Sequence, residues 1–306
     1  MMSFRIKGPL LAMAVVLTAC SGSNRTDQKI ATTPTDPGLD SARQLARFAL
    51  RNAQHEQAVI LYSRVLARAY ARDDAAAIGD IGYEYALALL RNGSPKEAVT
   101  QASKTRHELE RRNFAPFAEL YLVEAVANYA LTENLSARAM AQQAIKRAAA
   151  GDQATRGRAN FILGMIAADT EDLPALNQVI TAMGAPTDSA LQADLAEIIG
   201  RRQMLEGNSR AALSRFELAA ELRQNLREYT GMARALAASG AAAKAAGDNA
   251  VAADRYYRAG RSAAVQRDRR KAVSWLTEAL TIAESNGFKA IETDARDQLR
   301  ALKKQE

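Results

Sequence analysis

Three side chains hold most of the nucleophilic, redox and metal-binding potential of this sequence: one thiol, Cys20, and two imidazoles, His55 and His107. A metal centre needs several such ligands at short spacing, and no His or Cys cluster has it. His55 falls at a predicted turn and His107 among charged residues on a helix, where each is expected to be solvated. No glycine-rich phosphate loop follows a strand, because no convincing strand is present. Asp73-Asp74 reads as a helix N-terminus, where acidic side chains suit the helix dipole, and not as an acid–base pair. Arg111-Arg112, Arg201-Arg202 and the run Arg267–Lys271 could grip acidic groups, or face solvent as charge runs on helices usually do. The expectation is a non-enzyme with no metal and no cofactor, in which Cys20 does something other than catalysis.

The setting of Cys20 says what. Arg5 and Lys7 precede an apolar run, Leu10–Leu17, that ends in Leu17-Thr18-Ala19-Cys20. A positive start, a short apolar stretch and small residues before a cleavage point make a secretory signal. The run is far shorter than the roughly 20 residues of a spanning helix. Ordinary cleavage beside an incidental cysteine would leave an unpaired thiol in an oxidising compartment. Leu-Thr-Ala-Cys resembles the lipobox of bacterial lipoproteins. The resemblance implies cleavage before Cys20 and acylation of its thiol, so that a covalent lipid is the only non-protein group. Two or more acyl chains suffice for stable anchoring. Ser21, which is not Asp, implies in enterobacterial-type sorting an outer-membrane anchor facing the periplasm rather than inner-membrane retention.

The elements behind this anchor follow from composition. Removing residues 1–19 takes away Arg5 and Lys7 and lowers the formal charge from +7 to +5. So mild an excess is not the concentrated basic stripe of a nucleic-acid binder. Hydrophobic residues make up 48% of the chain but aromatics only 6%, so much of the core must be alanine, the best helix former. No proline follows Pro186, which suits a stack of helices. From Ser21 to about Gly38 little could be buried, and the segment reads as a flexible tether with an r.m.s. span of roughly 20–25 Å. The predicted organisation is a signal (1–19), an acylated N-terminus and linker (20–38), and a helical array (39–306).

Breakers recur every 17–20 residues from Leu39 onward. In Asn92-Gly93-Ser94-Pro95-Lys96-Glu97, Gly93 suits a left-handed helix end, Ser94 the next N-cap, Pro95 the first turn, and Glu97 a capping box. Gly207-Asn208-Ser209 and Gly247-Asp248-Asn249 repeat the pattern. Further helix starts are expected at Asp73 or Asp74, at Asn113 before Pro116, near Asn134, at Asp172 and at Thr187 or Asp188. About fourteen helices, or seven hairpins, result.

Aligning the hairpins exposes a period. Second helices carry Ala58, Ala98, Ala137, Leu176, Ala212 and Ala252, at intervals of 40, 39, 39, 36 and 40. Four residues on stand Tyr62, Ala102, Ala141, Ile180, Phe216 and Tyr256, and first helices carry Ala46, Ala86, Ala125, Gly164, Gly200 and Gly240. Small residues there let two backbones approach. This pattern resembles the tetratricopeptide repeat (TPR), most closely in Ile199–Arg223 and Ser239–Ala259. The chain departs from that family in lacking a Trp-x-x-Leu-Gly opening and in exceeding its 34-residue period. Helix Arg269–Asn286 reads as a second helix (Ala272, Leu276, Ala279) although counting makes it a first, which leaves the C-terminal register open. The charged helix Phe288–Lys304 suits a solvating end cap.

The fold class expected is therefore an all-α, TPR-like α-solenoid of about seven hairpins. The resemblance implies a groove lined by first helices, toward which the register directs Tyr83, Leu87, Leu122, Tyr129, Phe161, Met165, Arg201 and Met204. Packing of the same side chains between hairpins is the alternative. The mixture suits an extended peptide or a helix of another protein. TPR lipoproteins serve as pilotins of pilus secretins, in β-barrel assembly or as adaptors for peptidoglycan enzymes. Such kinship implies a non-catalytic adaptor for an envelope protein or peptide, held to the membrane by its lipid and without nucleic acid. The other reading is a TPR lipoprotein that binds a small ligand as partner of a solute-uptake system.

Overall fold

The computed structural model describes residues 36–304. Cys20, the cleavage site and most of the predicted tether lie outside the described residues. The first helix starts at Pro37, with the Asp36 carboxylate accepting from the N–H groups of Gly38 and Leu39. It therefore takes in the last two residues assigned to the linker.

Every regular element among the described residues is a helix. In chain order these are α1 (Pro37–Arg51), α2 (His55–Ala71), α3 (Ala75–Arg91), α4 (Pro95–Arg111), α5 (Ala118–Ala130), α6 (Asn134–Arg147) and α7 (Gln153–Asp169). They continue as α8 (Leu173–Met183), α9 (Ser189–Leu205), α10 (Ser209–Asn225), α11 (Tyr229–Ala245), α12 (Asn249–Val265), α13 (Arg269–Asn286) and α14 (Lys289–Lys303). The chain divides within α7, between Ile162 and Leu163, into two compact units. In the first, α1 to α6 each pack against the next; in the second, α8 to α14 do the same. The structure thus has the TPR-like, all-α repeat of helical hairpins that the period predicts. None of the described helices is long and apolar enough to cross a membrane.

Most joints between helices share one construction. A residue in the left-handed region ends one helix, and the N–H of the residue after it donates to a carbonyl five residues back. Gly93 (φ 78°) is followed by Ser94 N–H to Leu89 O at 3.0 Å, and Gly247 (φ 82°) by Asp248 N–H to Ala243 O at 2.9 Å. This 6→1 bond satisfies a carbonyl that a helix end would otherwise leave orphaned. Glycine carries no steric cost there, yet Thr132 (φ 64°) and Glu171 (φ 56°) do the same work. The sequence places helix starts near Asn134 and at Asp172 but does not mark Thr132 and Glu171 as the left-handed residues before them.

Capping differs from expectation in detail. Ser94 makes no side-chain cap bond, so the predicted capping box does not form there. Aspartate performs this role: Asp74, Asp172, Asp248 and Asp268 each accept from a first-turn N–H, and Asp188 accepts from two. Asn113 is a left-handed joint residue (φ 58°) and not a helix start; α5 begins at Ala118 after Phe117. Glu133, not Asn134, is the N-cap of α6.

The small positions set how close the helices come. Ala46, Ala58, Ala86, Ala98, Ala125 and Ala137 are fully buried. A Cβ added to Gly200 would lie 2.7 Å from Phe216 Cε1, and one on Gly240 would lie 2.9 Å from Tyr256 Cδ2. The aromatic rings four residues past Ala212 and Ala252 thus fill the places of the missing methyls. Burying a side chain the size of Phe216 contributes about 1.5–3 kcal/mol. A Cβ on Gly260 would likewise lie 2.6 Å from Leu276 Cγ. In α13, Ala272, Leu276 and Ala279 are fully buried, so this helix packs on α12 as a second helix packs on a first.

Candidate binding surface

In the first unit, α1 and α3 are joined by charge. Arg43 Nη2 donates to Glu84 Oε1 at 2.7 Å and to Asp80 Oδ2 at 3.2 Å, and Arg47 also pairs with Glu84. Beside them Tyr83 stands half-buried, its ring edge-on to Phe117 at 6.0 Å between centroids. Further along, Arg106 reaches Glu124 Oε2 at 3.4 Å. Burial pushes the Glu124 carboxyl above its ordinary range, and Arg106 only partly offsets this.

In the second unit, a larger cluster is buried. Arg223 donates from Nη2 to Asp194 Oδ1 at 2.6 Å and to Glu197 Oε2 at 3.2 Å, and from Nη1 to Glu228 Oε2 at 2.9 Å. Arg234 clamps Glu197 through Nε and Nη2, both at 2.7 Å. Arg201 completes the set, 3.6 Å from Glu197 and 3.8 Å from Asp169. Space for Arg223 comes from Gly231, where a Cβ would lie 2.7 Å from Arg223 Cδ. Burial pushes the Glu197 carboxyl up, but Arg234, Arg223 and Arg201 outweigh it and hold it down at about 2. Asp194 and Glu197 occupy the apolar stripe of α9 among Ala190, Leu191, Ala193 and Ile198. Acidic residues at core spacing were the available sequence signal for this cluster, and the sequence reading passed over it.

Of the groove residues expected from the register, Leu87, Leu122, Tyr129, Phe161 and Met165 are buried. For Leu122 and Tyr129 the reason is visible: α5 packs against α3, α4 and α6 and buries nearly its whole circumference. Tyr83, Arg201 and Met204 keep partial exposure, with Met204 resting on Ala212, Phe216 and Ala242. His107 is exposed, whereas His55 is half-buried at the start of α2, its pKa lowered by burial and by nearby Arg91. Arg112 and Lys271 are largely covered and paired, with Asp73 and Asp268 respectively, so these runs are partly structural. The second unit also has an open depression of about 680 Å³ between Arg210, Leu213, Asp248, Asn286 and Phe288. Among the described residues, no group of three or more His, Cys, Asp or Glu side chains could hold a metal ion.

No protein-family model matches the sequence, and no curated protein is similar to it. Solved structures are. The apo form of RapI is 11% identical over 88% of this chain and 77% of its own, with a TM-score of 0.54. A Rap protein complexed with competence and sporulation factor is 14% identical, covering 88% of this chain and 99% of its own, at 0.52. A tetratricopeptide repeat protein from Parabacteroides merdae ATCC 43184 is 11% identical, covering 87% and 99%, at 0.49. At such identities the likeness is one of fold: a TPR-like array of helical hairpins.

Proposed function

We propose that the chain is a non-catalytic adaptor that binds a segment of another envelope protein and is held at the outer membrane, facing the periplasm, by lipid on Cys20. The observation that carries the binding part is the fold shared with a Rap protein solved with competence and sporulation factor bound. Within the first unit half-buried Tyr83 offers an aromatic contact, and within the second half-buried Met204 an aliphatic one, each of a kind that a peptide uses. The anchoring part is supported by Leu17-Thr18-Ala19-Cys20 alone.

Affinity purification from envelope extracts tests the first part. Stable recovery of a secretin, an outer-membrane barrel or a cell-wall enzyme supports it; a monodisperse chain carrying bound small molecules and no protein sinks it. That second outcome would favour a ligand-binding partner of a solute-uptake system, the reading to which the depression beside Phe288 lends weight. Incorporation of labelled palmitate, abolished by Cys20→Ala, tests the anchor.

A further inference from the structure

Second helices of the first unit share a direction, because tight joints make each helix antiparallel to the next. The C-terminal ends of α2, α4 and α6 therefore lie along one edge. Contacts between them bear this out. Arg112 reaches Asp73 at 2.7 Å and, with Lys104, lies over the Tyr70 ring. Arg106 and Arg147 lie over the ring of Tyr121, at 5.2 and 4.7 Å from its centroid. This edge is strongly cationic. Asp36, Asp73, Glu108 and Glu110 answer Arg68, Arg72, Arg106, Arg111 and Arg112. Lys146 and Arg147 at the end of α6, and Arg64 and Lys104 at matching positions in the middle of α2 and α4, are exposed and have no carboxylate within salt-bridge distance among the described residues. The charges are segregated: α2, α4 and α6 together carry a formal +5 (nine Lys and Arg less four Glu), and α1, α3 and α5 carry −1 (four Arg less five Asp and Glu).

The chain enters the fold at this same edge. Arg68 donates to both oxygens of Asp36, each at 2.9 Å, and Arg72 lies 3.5 Å from it. Cys20 precedes Asp36 by 16 residues, which reach at most about 55 Å even fully extended. A lipid on Cys20 would thus keep the entry point of the fold within about 55 Å of the leaflet that bears it, and the charge of this surface would have to close the remaining distance.

We infer that the surface formed by the C-terminal halves of α2, α4 and α6 is a docking surface for anionic phospholipid headgroups. Each basic side chain near such a surface adds attraction that falls off within a Debye length. The edge therefore orients the array against its own membrane and turns the opposite ends of these helices toward the aqueous space. The orientation rests on acylation of Cys20; the attraction itself does not.

Flotation with vesicles tests it, using the chain from Ser21 onward, which keeps every described residue and carries no acyl group. Binding to vesicles containing one quarter phosphatidylglycerol is expected, with little to pure phosphatidylcholine and loss in high salt. Arg64→Glu/Lys104→Glu/Lys146→Glu should lower the partition coefficient on the order of 100-fold or more. A control with the same charge change elsewhere, Arg210→Glu/Arg215→Glu/Lys303→Glu, should lose far less. Circular dichroism checks that each variant folds, and the glutamine set at residues 64, 104 and 146 should show a smaller loss in the same direction. Equal binding to both vesicles, or equal losses for the two reversal sets, overturns the inference. Palmitate labelling of the full chain keeps the two ideas apart. Labelling without preference for anionic vesicles removes the docking surface alone, and preference without labelling removes the anchor alone.

Discussion

Arg223 Nη2 lies 2.6 Å from Asp194 Oδ1, with 3% and 0% of their side chains exposed. One guanidinium serves Asp194, Glu197 and Glu228, carried by α9 and by the joint before α11. Removing it leaves carboxylates out of water without their shared cation. Breaking a buried pair in this way costs about 3–5 kcal/mol, and Arg223→Met should lose that much. The sole tryptophan, Trp275, is buried in α13 of the same unit, so its fluorescence reports denaturant unfolding there. A loss below about 1 kcal/mol, the scale of an exposed pair, would show the network to be dispensable.

The same cluster fixes a pH dependence. Glu197 is held at about 2 by its arginines, against about 4.3 in an unfolded chain. A depressed carboxyl contributes stability that is present above the unfolded value and is lost as pH falls toward the folded one. Its contribution is on the order of 3 kcal/mol at neutral pH. Stability of the second unit should therefore drop steeply between about pH 4.5 and pH 2, and Glu197→Gln should flatten that slope. Glu124 in the first unit has the opposite sign, because burial raises it. Its contribution is present at low pH and disappears as pH rises through its raised value, so Glu124→Gln should make the first unit less sensitive in that range. Acid titrations of both variants, read by circular dichroism and Trp275 fluorescence, separate the two signs.

Gly200 faces Phe216 Cε1, which would lie 2.7 Å from an added Cβ. Helix propensity alone would favour Gly200→Ala by about 1 kcal/mol. Overpacking opposes it at about 1–3 kcal/mol, and the net effect should be destabilising. Gly200→Ala combined with Phe216→Leu should recover part of the loss. If the single substitution raises the melting temperature, the two helices are less closely interlocked than their contact implies.

These cases mark how far the sequence could be read. Residues that repeat at fixed spacing, such as Ala58, Ala98 and Ala137, reveal helix pairing because close approach excludes larger side chains. Gly93, Gly207 and Gly247 reveal joints because a left-handed residue without a Cβ is unstrained. Thr132 and Glu171 do not announce their left-handed backbone, since their residue types do not favour it, although the helix starts that follow them are legible near Asn134 and at Asp172. The repeat register gives Leu122 and Tyr129 a direction but not a depth; it leaves open groove or packing between hairpins, and the structure buries both side chains. Asp194 and Glu197 share α9 while Arg223 comes from α10, so the acidic pair at core spacing is visible within one segment but the cation that it meets is not.

Thr132 is β-branched and holds φ at 64°. Left-handed backbone costs an ordinary residue about 1–2 kcal/mol, partly offset by the greater freedom of unfolded glycine. Thr132→Gly should therefore stabilise the first unit by about 0.5–1 kcal/mol, and Gly93→Ala should cost a similar amount. Thermal melts by circular dichroism measure both. A lower melting temperature for Thr132→Gly would mean that the threonine side chain contributes a contact outweighing its strain.

Gly260 receives Leu276 as Gly240 receives Tyr256, so α12 plays the second helix toward α11 and the first toward α13. Pairing within a hairpin and pairing between hairpins use the same lock. Where every interface is of one kind, no seam is weaker than its neighbours, and nearest-neighbour coupling passes through α11, α12 and α13 without a break. A pull applied at one of these helices would be shared by all three, and this stretch should yield as one mechanical block instead of peeling away two helices at a time.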